Sequence, residues 1–423
     1  KPASESLSLD VDATVDAIEA ALTSGKHQVT LVTQRKPTAI SDASAQQTAN
    51  QAAALIKEPL EVDWAGGKTQ ILPGNLASIM RFAPDTEHPD RFAISLDQDG
   101  LTSLLTSIAP QVETPAQNAD LRYLDGKVVV KSPEKAGTQL AIGPSVNAVN
   151  AAVLAGKPSV TLATEPVQPT ITAAMAGTIS LPDVLASSKT YYGGAAANRA
   201  FNVELAVQRV NGALVPPGGT FSFDGSVGAI DVEHGYKLGY GIVGTTNGSV
   251  STVPSVGGGV CQVSTTVFQS AFWAGLPIVQ RSWHLYWIPT YGQPPSGLTG
   301  LDATVDTDVG LDLKFKNTTG HWIAISGYAD GTWVNFEILG TNTGWDVQVD
   351  QPVITNVVQP PSDMEYEQSD ALPAGQSLLV QAAQEGFDVD VHRVVTLNGK
   401  VLDDYHVKSH YLPAGNITLQ GDG

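Results

Sequence analysis

Cys261 is the only cysteine in a chain of 423 residues. It follows three glycines in Gly257-Gly258-Gly259-Val260-Cys261-Gln262-Val263-Ser264-Thr265-Thr266. Beyond it, Val263, Val267, Ala271 and Ala274 recur every three or four positions and Gly275 acts as a stop. This spacing predicts a helix with the sulfur in its first turn. At that place the unpaired backbone N–H groups and the positive end of the helix dipole favour a thiolate. The glycines permit a tight backbone approach and can leave N–H groups for an anion. The run is not a P-loop, because Cys-Gln stands where Lys-Ser/Thr would have to be.

A thiol nucleophile needs a base, and the base is normally oriented by a third group. Downstream, His284 lies in the aromatic run Arg281-Ser282-Trp283-His284-Leu285-Tyr286-Trp287, and Asp302 opens Asp302-Ala303-Thr304-Val305. Cys, His, Asp is the chain order of papain-like and transglutaminase-like thiol enzymes, although none of their local signatures is present. In this reading Cys261 is the nucleophile, His284 the general base and acid, and Asp302 the group that fixes the imidazole. Gly259, Gln262, Ser264 and Trp287 form the candidate oxyanion or substrate-binding set.

Each residue has a structural alternative. Cys261 can be a small buried filler, His284 a packed and hydrogen-bonded core histidine, and Asp302 a turn cap. A zinc site built on Cys261, His284 and either His234 or His321 lacks the tight spacing of metal motifs, so no metal and no cofactor is expected. Trp273, Trp283, Tyr286, Trp287 and Tyr291 suit a sugar or peptide groove, and equally an ordinary core.

The elements that must position these side chains belong to a long chain, for which about two to four domains is the ordinary expectation. Hydrophobic content of 42%, charged content of 15%, 41 Gly and 26 Pro favour strands and turns over a helical bundle. A net charge of −19 excludes a general basic surface for nucleic acid. No run of about 18 apolar residues is present to span a membrane. The start at Lys1-Pro2, without a methionine or signal pattern, suggests a mature or trimmed fragment whose export signal or membrane anchor has been removed. The lone cysteine rules out an internal disulfide and the paired thiols of zinc ribbons or redox motifs. Nothing in the sequence sets an oligomeric state.

The first half repeats itself. Leu9 to Leu22, with Gly25-Lys26 and Val29 to Thr33, aligns without a gap to Leu140 to Val153, with Gly156-Lys157 and Val160 to Thr164. Each copy reads as a short strand, an amphipathic helix with apolar positions such as Val15, Ile18 and Leu22, a Gly C-cap and a second strand. Between them an Asp125-Gly126 turn marks a hairpin within 121–130, and 101–107 reads as helix. No catalytic spacing of His, Glu or Asp occurs here. These repeats resemble the peptidoglycan-binding repeats that precede catalytic or VanW domains in exported bacterial proteins, which implies wall binding. Residues 170–188 read as a linker with a short helix.

From Tyr191 the motifs sharpen: Asn198 to Val210 as a helix ended by Asn211-Gly212, Pro216-Pro217-Gly218-Gly219, Gly235-Tyr236, the glycine-cysteine stretch, Asp302 to Val305, and Asp312-Leu313-Lys314-Phe315-Lys316-Asn317. In order and spacing they resemble the VanW family over roughly 191–337. That resemblance implies an exported cell-envelope protein and brings no established reaction with it. Further on, Leu372-Pro373-Ala374-Gly375, Gly386, Val394 to Lys400 and Ile417 to Gly421 resemble a five-glycine domain, a small all-β module that implies adhesion or glycan contact.

The expected architecture is α+β and multidomain. Residues 1–58 form a partial first repeat module, 59–172 a second module of the peptidoglycan-binding kind, 173–345 a mixed α+β VanW-like domain with the Cys-bearing helix, and 346–423 a small all-β domain. The expected partner is peptidoglycan or another wall glycan or peptide, met outside the cell or in the envelope. Two functions fit: cysteine-dependent hydrolase or transpeptidase chemistry on wall peptides, or a non-catalytic envelope scaffold in which Cys261 is structural.

Overall fold

A buried helix, Val260–Trp273, organises the larger part of the molecule. The computed structural model describes residues 4–244, 250–369 and 372–421. They divide into one unit of 1–118 and 134–171 and another of 119–133 and 172–423. The architecture is α+β and multidomain, as the sequence leads one to expect.

In the first unit the two sequence copies share a strand and a helix, but the expected strand after the helix forms only in the second copy, where Ser159–Thr161 pairs with Leu60–Trp64; residues 29–32 of the first copy are not a strand. Helices Val11–Thr23 and Ile142–Leu154 follow the short strands Ser6–Leu9 and Gly137–Leu140. Thr14 donates its hydroxyl to the Val32 carbonyl at 3.3 Å and accepts the Val32 N–H at 3.1 Å. Ser145 makes the same pair with Ala163, at 3.2 and 3.0 Å. The apolar stripes differ. Val146, Val149 and Val153 are buried in a core that includes helix Gln98–Val112, whereas Val15, Ile18 and Leu22 are exposed. The first helix has the pattern of a core-facing element. Among the described residues, however, nothing covers it as Gln98–Val112 covers the second.

In the second unit, helix Val260–Trp273 is closed in on every side, and only Cys261 and Trp273 escape full burial. Its polar side is therefore a hydrogen-bonded interior rather than a solvated face. Thr265 exchanges hydrogen bonds with the Ala303 backbone, at 3.2 and 3.0 Å. Gln269 donates to the carbonyls of Tyr291 and Leu301, at 2.7 and 2.8 Å. Ser270 reaches the Phe336 carbonyl at 3.0 Å.

The helix packs on strands Asp183–Tyr191 and Trp333–Gly340 of a six-stranded sheet. From that edge the sheet continues through Ile323–Ala329, Ala213–Val215, Asp120–Leu124 and Lys127–Ser132. Residues 170–188 are thus not simply linker. After the short 3-10 turn Ala173–Gly177, Asp183–Tyr191 pairs along Trp333–Gly340. Its inward side chains Ser188 and Thr190 are small and polar because they face the polar side of the Cys helix, where Thr190 Oγ1 lies 2.7 Å from Thr266 Oγ1. A strand so composed carries no apolar alternation to read.

Both anticipated hairpin turns are present. Asp125 and Gly126, at φ 51° and 79°, join Asp120–Leu124 to Lys127–Ser132, and Asn398 and Gly399, at φ 52° and 77°, join Gly386–Leu397 to Lys400–Tyr411. The latter ribbon shares one core with the Cys helix. Phe387, Val389, Val391, Val407 and Tyr411 cluster with Val263, Val267 and Phe268. Arg393, its side chain fully buried, donates to the Phe272 and Leu276 carbonyls at the helix end, at 2.7 and 3.1 Å, and pairs with Asp403 at 2.6 Å.

Candidate active site

The glycine run sets the entry to the helix. A side chain at Gly258 would lie 2.5 Å from the Tyr240 backbone nitrogen, in the hairpin Leu238–Gly244 and Val250–Val256. Gly259 caps the helix at φ 111°, a conformation that L side chains rarely adopt, and a Cβ there would also press on Val203 and Arg199. Within the first turn, the N–H groups of Val260 and Gln262 are taken by the Gly257 and Gly259 carbonyls, at 3.0 and 3.1 Å. Cys261 emerges from this packing as the partly accessible residue of an otherwise buried turn.

His284 and Asp302 converge on it. The imidazole of His284 lies beside Cys261, close enough for each group to shift the other's titration, and on its other side Nδ1 is 2.5 Å from Asp302 Oδ2. A carboxylate can only accept, so Nδ1 carries the proton toward Asp302 and Nε2 is left for the sulfur. Sγ also lies 3.4 Å from the Thr304 hydroxyl and 3.5 Å from the Val305 carbonyl oxygen.

Asp302 is saturated. Oδ2 accepts the backbone N–H of His284 at 2.8 Å as well as its ring. Oδ1 accepts from Arg281 and from the Tyr411 hydroxyl, both at 2.6 Å. Arg281, only 3% exposed along its side chain, directs its donors at Asp302, the Gly300 and Lys408 carbonyls and the Ser409 hydroxyl. The position of the imidazole therefore depends on both the irregular segment that carries Asp302 and the C-terminal ribbon.

The electrostatics follow this geometry. Burial acts against ionising Asp302, but Arg281, the His284 hydrogen bond and Tyr411 outweigh it and hold the carboxyl down at about 2. Burial also disfavours the imidazolium, yet Asp302 and the Cys261 sulfur raise His284 to about 9. The thiol is pushed up by burial and drawn back, to a net lowering, by His284, Thr304 and Val305. Near neutral pH these directions favour a thiolate–imidazolium pair backed by a carboxylate.

The other candidate residues are placed differently. The Gln262 amide donates to Thr190 and Tyr191, at 3.0 and 2.9 Å, and accepts from Arg199 at 2.6 Å, so its side chain is fully committed beside the thiol. Ser264 is buried one turn below Cys261, with its hydroxyl unpaired among the described residues. Trp287 packs against Phe387 and Tyr411, with ring centroids 6.2 and 5.4 Å away. His234 pairs with Asp231 on an exposed turn, and His321 is exposed. Among the described residues, His392, Asp404 and His406 on the C-terminal ribbon have ligand atoms within 4.8 Å of one another. His392 bonds Asp350 and Asp404, and His406 bonds Asp390.

Sequence reasoning missed Arg281, Tyr411, Thr304 and Arg199. Arg281 left a usable signal, a lone charge three residues before His284 in an aromatic run. Tyr411, 109 residues from its partner Asp302, left none.

A family described as "VanW like protein" matches residues 198–339. That span holds the whole Cys261–His284–Asp302 relay. The chain carries a VanW-like domain. A second family, described as "Putative peptidoglycan binding domain", matches residues 67–161. The vancomycin B-type resistance protein VanW of Enterococcus faecalis is 37% identical over 123 residues, which cover 29% of this chain and 42% of that protein. The uncharacterized protein YoaR of Bacillus subtilis is 39% identical over 128 residues, covering 30% of this chain and 38% of that one. This chain thus spans about two fifths of the length of these curated relatives. Among solved structures, the G5 domain of HP0197 matches at 23% identity and a TM-score of 0.09, over 18% of this chain and 97% of that one.

Proposed function

We propose that this is an exported cell-envelope protein that binds peptidoglycan, and that its VanW-like domain performs cysteine-dependent acyl transfer on wall peptides. The observation that carries the chemistry is His284, set beside the Cys261 thiol and hydrogen-bonded through Nδ1 to an ionised Asp302. The Cys261 thiolate attacks a peptide carbonyl carbon. As the C–N bond breaks, the His284 imidazolium passes its proton to the leaving amine, and a thioester remains on the sulfur. An incoming amine or water then gives its proton to His284 as it attacks the thioester, and the C–S bond breaks to restore the thiolate. An amine makes the enzyme a transpeptidase, water a hydrolase. The match of residues 67–161 to a wall-binding family supports the choice of polymer.

The test is intact-protein mass spectrometry of the chain incubated with disaccharide stem peptides released from cell wall, with co-sedimentation on purified insoluble wall alongside. The expected result is a mass increase equal to the acyl portion of the peptide, located on Cys261 and absent after alkylation. Co-sedimentation should be retained by Cys261→Ala. Wall binding without any adduct, together with an ordinary slow alkylation rate, would instead support a non-catalytic scaffold with a structural cysteine.

A further inference from the structure

Buried arginines in this protein are matched to acids: Arg281 to Asp302 and Arg393 to Asp403. Among the described residues the half-buried Arg199 and Arg209 have no acid; Arg209 gives its donors to the Val227, Ala229 and His234 carbonyls, and Arg199 stands beside the thiol. It stands in the first turn of helix Ala197–Val210, half-buried, with its Cγ against the Gly259 backbone two residues before Cys261. Nη2 donates to Gln262 Oε1 at 2.6 Å, and the guanidinium stands near enough to Tyr291 to act on its phenol. Both partners are neutral, and among the described residues no carboxylate pairs with Arg199. In a chain with 42 acidic and 23 basic residues, a partly desolvated guanidinium without a counter-charge is costly unless an anion arrives from outside.

The geometry also says where that anion lies. The scissile carbonyl must sit at Cys261 Sγ and the leaving nitrogen beside His284, which protonates it. The Tyr291 ring lies 5.4 Å from the His284 ring, between centroids, and Tyr291 is itself 4% exposed. Its hydroxyl leads to Arg199, so the cation stands on the leaving-group side of the bond.

We propose that Arg199, steadied by Tyr291 and Gln262, binds a free carboxylate on the leaving group of the acyl donor. The α-carboxylate of a C-terminal residue is two bonds from the leaving nitrogen and fits that position. The VanW-like domain then removes or exchanges the last residue of a stem peptide instead of cutting an internal bond. The inference rests on the acyl-transfer reading for its frame, but its binding part can be measured without turnover.

The experiment uses the full chain and three probes: a disaccharide stem peptide with free carboxylates, the same peptide amidated only at its C terminus, and the same peptide amidated only on its side-chain carboxylate. Calorimetry on Cys261→Ala measures binding, and thioester formation on the unmodified chain measures chemistry. The free acid should bind and acylate about tenfold or more better than the C-terminal amide, as expected for a charge-assisted bidentate contact, and the side-chain amide should behave like the free acid. In Arg199→Gln the acid-to-amide ratio should fall toward one, with Arg199→Lys between. Equal binding of the acid and C-terminal amide by Cys261→Ala overturns the proposal without involving the variants at Arg199. A penalty confined to the side-chain amide overturns the leaving-group placement. Discrimination in binding with no thioester from any probe keeps the carboxylate site and sinks the acyl-transfer reading instead.

Discussion

Asp302→Asn should unfold at markedly lower denaturant and lose three to four orders of magnitude in acylation rate, although it changes one atom. The Asp302 carboxylate accepts four hydrogen bonds: from Arg281 and Tyr411 on Oδ1, and from the backbone and ring N–H of His284 on Oδ2. An amide has one oxygen to offer, so its NH₂ must face two of these donors whichever way it is turned. The Arg281 cation, 3% exposed, loses the one counter-charge it has among the described residues. Breaking a buried pair in this way costs about 3–5 kcal/mol. The catalytic loss has a separate origin, because the carboxylate selects the tautomer and stabilises the imidazolium; removing it from a triad costs about 10⁴ in rate.

The stability gap should also depend on pH, in a known sense. The carboxyl is held at about 2 when folded, below its ordinary 3.8, so its contribution is present above about 3.8 and is lost as the pH falls toward 2. Urea melts of the two proteins at pH 6 and near pH 2 check this. A gap that fails to narrow in acid would mean that the charge of Asp302 is not what stabilises the fold.

How far the sequence foretold this site depends on which forces leave a local trace. Cys261 could be found because a triple glycine followed by helical spacing is a backbone instruction. Gly258 meets the Tyr240 backbone and Gly259 takes φ 111°, so glycine is required at both. The Asp125-Gly126 and Asn398-Gly399 turns were legible for the same reason. Periodicity failed where the environment was not water on one side and hydrocarbon on the other. Gln262, Thr265, Thr266 and Gln269 look like a solvated face, yet all are buried because polar groups from other segments meet them. The stripe of Val15, Ile18 and Leu22 misleads in the opposite direction, amphipathic but exposed. The Tyr411–Asp302 contact is a matter of tertiary packing alone. A ribbon expected to be an accessory module contributes a donor to the carboxylate that orients His284.

His284→Ala should turn Cys261 from a reactive thiolate into an ordinary thiol. In the intact protein burial pushes the thiol up, and the neighbouring His284, with Thr304 and Val305, outweighs it to a net lowering. Without that cation the cost of burying a thiolate remains and the neighbouring positive charge is gone. The thiol should then titrate in or above its usual range near 8.5, leaving at most a few per cent thiolate at pH 7. Iodoacetamide alkylation at pH 7 is expected to slow by about tenfold or more, and its rise with pH should move to higher pH than in the intact protein, whose thiol is held below its usual range. Acylation by peptide depends on the same residue in a different way, because the leaving amine needs the proton of the imidazolium. In the intact protein the acylation rate should therefore fall as the pH passes about 9, where His284 loses that proton. The pair's contribution to stability has the same sign. His284 is raised above its ordinary 6.5, so the contribution is complete below that value and is lost as the pH rises through about 9. Alkylation that stays as fast in His284→Ala, with an unchanged pH profile, would place the activation of Cys261 in the helix N-terminus, and His284 would have no part in it. The helix alone is the weaker candidate, because the Val260 and Gln262 N–H groups are already bonded to Gly257 and Gly259. What remains to activate the sulfur is the imidazole, and the imidazole is held by Asp302.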